Sequence, residues 1–118
     1  MRFTGKARWR PRHTPGKMNK TEARFAERLE LRKMTGDIHD YMFEPAKFRL
    51  GKDWKTSYCP DFMVLRTDGE IELIDVKGGA GWEAAARVKI KAAAAQYPMF
   101  RWLGYTEYKH NTFGEEEF

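Results

Sequence analysis

Two short, β-rich and largely apolar runs dominate this chain: Tyr58-Cys59-Pro60-Asp61-Phe62-Met63-Val64-Leu65 and Ile71-Glu72-Leu73-Ile74-Asp75-Val76-Lys77. Between them lies Thr67-Asp68-Gly69, and Asp-Gly readily takes the positive φ of a tight turn, so the spacing predicts an antiparallel hairpin. Runs this apolar have the pattern of strands covered on both faces, which demands a packed layer on each side. Three ionised side chains sit where such strands ordinarily carry none: Asp61, Asp75 and Lys77. Residues i and i+2 of a strand point the same way, so Asp75 and Lys77 project together. Burying charge is costly unless it is paired or bound to a metal, so two carboxylates and an ammonium here mark a candidate site. A structural ion pair is the bland alternative, but buried pairs are often replaceable by apolar residues and add little stability. Glu70 and Glu72 alternate onto the face opposite Asp75 and are expected to be exposed.

The flanking sequence supplies the two layers. Asn19 followed by Glu22 has the spacing of a capping box, which predicts a helix from Lys20 to Met34 ending near Gly36. Its apolar stripe is Phe25, Ala26, Leu29 and Met34, and Glu22 lies on that stripe rather than opposite it. Tyr41–Leu50 reads as a strand with an edge or bulge at Pro45. Gly78, Gly79 and Gly81 open a second, alanine-rich helix from Trp82 to Tyr97, ended by Pro98. Phe100–Tyr105 is the last predicted strand. The order α-β-β-β-α-β gives an α/β (α+β) class, a mixed central sheet flanked by helices. Residues 19–118 form one domain with a short acidic C-terminal tail, Glu115-Glu116-Glu117. Residues 1–18, with two prolines, two glycines and no period, read as an extended, flexible arm.

Composition narrows the function. No apolar run approaches the roughly 20 residues of a membrane span, and the basic N-terminus has no apolar stretch behind it, so neither a membrane partner nor a secretory leader is expected. The single cysteine, Cys59, fits a reducing cytoplasm, and three scattered histidines argue against structural zinc. Of 22 basic residues, seven lie within residues 1–20 with no acid among them, leaving fifteen against 17 acids in the remainder. A basic arm on a near-neutral domain points to a polyanionic partner, most simply nucleic acid, through Arg8, Arg10, Arg12 and Lys17. A solvated tail that aids solubility is the alternative.

A hydrolytic magnesium site needs hard oxygen ligands on rigid elements, with positions open to water and substrate phosphate. Facing residues on adjacent antiparallel strands are roughly 5 Å apart, so Asp61 and Asp75 could share one ion. Lys77 would point to the same place and could activate water or stabilise charge on the phosphate. Glu22 would approach from the first helix as an accessory ligand or water-positioning carboxylate.

Pro60-Asp61, thirteen residues, then Asp75-Val76-Lys77 resembles the PD-(D/E)xK signature of the restriction-endonuclease-like nuclease superfamily. An upstream helical glutamate, here Glu22, is a usual companion, and the αβββαβ order over residues 19–105 is similar to that superfamily's core. The likeness is greatest to small phage-encoded endonucleases and junction resolvases. It implies Asp61, Asp75, the Val76 backbone carbonyl and Glu22 as metal ligands, Lys77 as the catalytic lysine, and Mg²⁺, with Mn²⁺ as a substitute, as cofactor. It further implies a DNA endonuclease that leaves 5′-phosphate and 3′-hydroxyl ends, with branched, recombination or replication intermediates as candidate substrates, in a bacterial host's cytoplasm if phage-encoded. Symmetric cutting of two strands would require a homodimer. Relatives place a lysine or glutamine of the second helix near the scissile phosphate, so Lys89, Lys91 and Gln96 are candidates, against the alternative of a solvated cationic face with a Glu83–Arg87 pair. Trp9, between Arg8 and Arg10, and Trp54, with Lys52 and Lys55 near it, are candidates for base stacking, against the alternative that Trp54 covers an edge of the core. The rival from another class is a non-catalytic nucleic-acid-binding module that keeps the nuclease fold.

Overall fold

A computed structural model describes residues 16–53 and 55–118. Of the expected arm only its end is included, so Arg8, Arg10, Arg12 and Trp9 lie outside the described residues, as does Trp54. Helix α1 spans Lys20–Met34, the range the capping signals predict. The Asn19 side chain accepts from the Glu22 N–H at 2.8 Å, and Glu22 Oε1 accepts from the Asn19 N–H at 2.9 Å. At the other end Gly36, at φ 82°, donates to the Lys33 carbonyl while Asp37 donates to that of Arg32, the two bonds of a Schellman stop.

Strands β1 (Ile38–Phe43), β2 (Phe48–Arg49), β3 (Ser57–Tyr58), β4 (Phe62–Arg66) and β5 (Ile71–Lys77) follow, then helix α2 (Ala84–Gln96) and strands β6 (Arg101–Lys109) and β7 (Thr112–Glu117). A five-stranded mixed sheet runs β1-β4-β5-β6-β7, with β5 and β6 parallel and the other neighbours antiparallel. The fold is therefore the mixed α+β class expected, with the αβββαβ order carried by α1, β1, β4, β5, α2 and β6.

Alternation along the strands divides the core into two layers. Phe62, Val64, Ile74, Val76 and Leu103 pack with Phe25 and Leu29 of α1. Leu73 and Trp102 turn the other way and pack with Tyr58 and with Ile90 and Ala93 of α2. Each fully buried side chain of this size stabilises the fold by about 1.5–3 kcal/mol.

Four expectations are corrected. The run 41–50 is two strands, because the chain leaves β1 at Glu44, which takes φ 49° just before Pro45. The run 58–65 is also divided: Tyr58 pairs with Phe48 in a separate two-stranded sheet, and Pro60, which lacks an N–H, separates β3 from β4. The acidic tail is an edge strand, β7, hairpinned onto β6, with Glu116 and Glu117 tied to Arg87 and Arg101. Glu72 is likewise not exposed. It is 4% exposed on β5, where Arg66 at 3.1 Å and Arg101 at 3.3 Å reach it from the strands on either side.

Candidate active site

The β4–β5 hairpin sets the geometry. Phe62 pairs with Ile74, so one further step along the register brings Asp61 opposite Asp75. Asp61 ends its strand rather than continuing it: its backbone carbonyl accepts from Glu44, and its Oδ2 accepts from the Val76 N–H at 2.7 Å. That bond anchors the first acid to the peptide that joins Asp75 to Lys77. Asp75 is buried, and its Oδ2 lies 3.2 Å from Lys77 Nζ. Asp75 and Lys77 follow Leu73 at i+2 and i+4, so the group opens on the face that carries α2.

Two aromatic residues complete the surroundings. The Trp82 ring lies 5.1 Å from Lys77 Nζ, close enough for a cation–π attraction, and its indole N–H donates to Thr106 Oγ1 at 3.2 Å. In the parallel register Gly104 and Thr106 neighbour Asp75 and Lys77, and a Cβ on Gly104 would collide with Trp82 Cζ2. The absent side chain at Gly104 is what lets the indole lie down beside the lysine. On the other side Tyr58, 8% exposed, packs its ring in the cluster of Leu73 and Trp102. Its Oη lies within reach of the Asp75 side chain and feels the charges of Asp75 and Asp61, yet it meets the geometry of a formed hydrogen bond with no group among the described residues.

Burial, and then the neighbouring Asp75 charge and contact, push the Asp61 carboxyl up to about 9, against the lowering pull of the Val76 N–H. The Asp61 carboxyl therefore resists ionising beside its neighbour. Such a pair lacks positive charge, and Lys77 supplies part of it from the Asp75 side.

Glu22 occupies an intermediate position. It is buried in α1, on the opposite face of the sheet, and its charge still reaches Asp61. Gly78, just past β5, lies against Thr21, with 3.6 Å from a Cβ position to Oγ1, so the first turn of α1 borders the end of β5. Yet Glu22 Oε1 is already engaged by the Asn19 N–H. Among the described residues no group of three or more His, Cys, Asp or Glu side chains is assembled for a metal ion. Two opposed carboxylates still suit magnesium, which is commonly held by one or two carboxylates with water and substrate phosphate filling the remaining positions.

The described candidates for contact with nucleic acid are exposed. Lys17 is exposed before α1, and Lys89, Lys91 and Gln96 are exposed on α2. Lys91 lines an open cleft with Arg87, Glu116, Glu117 and Phe118. Arg87 pairs with Glu116 at 2.6 Å rather than with the expected Glu83. Sequence reasoning missed Tyr58 and Trp82 as neighbours of the site. For Trp82 the usable signal was an aromatic directly after the glycine-rich turn; for Tyr58 it was the spacing of three residues before Asp61.

No helix among the described residues is long and apolar enough to cross a membrane. Comparison with curated proteins and with solved structures finds no match. A family model described as a protein of unknown function, DUF1064, matches residues 17–109, a span that includes Glu22, Asp61, Asp75 and Lys77. Since that match covers most of the chain, this protein belongs to the DUF1064 family.

Proposed function

We propose that this protein is a magnesium-dependent DNA endonuclease of the PD-(D/E)xK kind, which hydrolyses phosphodiester bonds to 5′-phosphate and 3′-hydroxyl ends. The observation that carries this reading is the meeting of Asp61, Asp75 and Lys77 on one face at the end of a hairpin, with Asp61 bonded to Val76 N–H and Lys77 3.2 Å from Asp75. Asp61 and Asp75 would hold the ion, with the Val76 carbonyl and Glu22 as further oxygen donors. A bound divalent ion would supply Lewis-acid stabilisation of the phosphate and lower the pKa of the attacking water. Lys77 would orient that water or neutralise charge gathering on the phosphate. Trp82 restrains Lys77 from behind. DNA would be gathered by sequence-independent contacts of the basic N-terminal segment, so affinity should fall steeply with salt.

The second reading is a nucleic-acid-binding module that keeps the fold without turnover. It is favoured by the Lys77–Asp75 contact, which already neutralises one acid, and by the missing third carboxylate among the described residues. One experiment separates them. Parent and Asp75→Ala are incubated with single-stranded, duplex, flapped and four-way DNA, with and without Mg²⁺, and the cuts are mapped. The nuclease reading expects ion-dependent cleavage by the parent alone; binding without cleavage by either protein supports the module. Paired cuts on the four-way substrate by a dimer would assign junction resolution.

A further inference from the structure

Tyr58 is the one side chain among the described residues with a buried polar atom lacking any hydrogen-bond partner. Its ring needs no hydroxyl to do its packing. It lies 6.2 Å from the Trp102 ring, centroid to centroid, in an apolar cluster with Leu73, Ile90 and Ala93. Phenylalanine would fill the same space and avoid the free-energy cost of a desolvated, unpaired hydroxyl. The hydroxyl therefore has no structural reason in this state of the protein.

Its location supplies one. β3 ends at Tyr58, and three residues later the chain reaches Asp61 through the buried Pro60. The ring packs in the cluster of Leu73, the residue two before Asp75 on the same face of β5. Burial, and then the charges of Asp75 and Asp61, push the phenol's ionisation upward, and the Asp75 side chain lies within reach of Oη as an acceptor.

We infer that Tyr58 is a positioning residue of the acid pair, donating from Oη to the Asp75 carboxylate when the pair takes up a divalent cation. The inference rests on the proposed reading of the site and adds to it a fifth residue. Ligating carboxylates are typically fixed by outer hydrogen bonds, whose loss lowers metal affinity about 10–100-fold. Asp75 has Lys77 on one side, and Tyr58 would fix its orientation from the other.

The test uses the full chain as parent, Tyr58→Phe and Asp75→Ala. Each is titrated calorimetrically with MgCl₂ and, separately, MnCl₂, and each is melted with and without ion. The expected result is a Tyr58→Phe protein that melts without ion at or above the parent's temperature, yet binds the ion about ten-fold or more weakly. Equal ion affinity in parent and Tyr58→Phe overturns the inference alone. So does an ion-free Tyr58→Phe that melts well below the parent, since the hydroxyl would then serve the fold. A parent that takes up no ion, like Asp75→Ala, overturns the underlying reading and the inference with it.

Discussion

Among the described residues, Asp61 is the carboxyl whose ionisation its surroundings oppose most clearly. Its half-buried carboxyl stands beside Asp75 and is held by one backbone N–H, and its pKa rises from the ordinary 3.8 to about 9. An acid whose folded value is raised binds more protons folded than unfolded between those limits. Its stabilisation is complete below about pH 3.8 and is lost as pH rises through about 9. Glu107 acts in the opposite sense. The bidentate Arg24 guanidinium holds it down at about 2, so its contribution is present above pH 4.5 and lost as pH falls toward 2. Without divalent ions the parent's melting temperature should therefore decline from about pH 5 to pH 9. Asp61→Asn can still accept from Val76 N–H but cannot ionise, and should flatten that decline. Thermal melts of the two proteins in a chelator across this range check it; parallel profiles would count against the assigned environment of Asp61. The adjacency of Asp61, Asp75 and Lys77 was legible because strand periodicity and an Asp-Gly turn are local signals. Glu72 was not, since its burial depends on Arg66 and Arg101 arriving from two other strands.

At the scale of elements, what was readable followed from backbone chemistry. Asn19, Glu22 and Gly36 marked both ends of α1, and Gly69, at φ 90°, made the β4–β5 turn. β7 escaped notice because an exposed edge strand rich in glutamate has neither the apolar pattern nor the propensity of a core strand. The small β2–β3 sheet escaped because its two-residue strands are too short to show a period. The packing of Trp82 onto β6 was invisible too, being a contact between the loop before α2 and a strand some twenty residues on. It gives a sharp expectation at Gly104, where a new Cβ would meet Trp82 and lie 3.1 Å from Phe118. Gly104→Ala should lower unfolding stability by about 1–3 kcal/mol, the usual range for overpacking. Gly114→Ala, whose Cβ would meet only the Tyr108 ring at 3.8 Å, should change stability by no more than about 0.5 kcal/mol. Urea unfolding of both variants provides the comparison, and equal effects would contradict the packing of Trp82.

Across the whole molecule, sheet order and helix placement explain why the acids stand where they do. Parallel β5 and β6 need a crossover, and α2 provides it while covering the face onto which Asp75 and Lys77 project. α1 covers the other face and brings the start of its first turn to the end of β5. Two layers thus bury Asp75 and leave Asp61 and Lys77 half-buried at the end of the hairpin. The αβββαβ order was readable from helix signals and one turn; the sheet order was not, because strand neighbours are chosen by packing rather than by local pattern. The central claim is that this arrangement hydrolyses DNA through the charge of its paired acids. It is tested most directly by the rate at which parent and Asp61→Asn cleave labelled DNA substrates in saturating Mg²⁺. The account predicts cleavage by the parent that a chelator abolishes, and a loss of at least about a hundred-fold in Asp61→Asn, the scale on which preorganised electrostatic groups act. Equal rates for the two proteins, or no cleavage by the parent on any substrate, would contradict it.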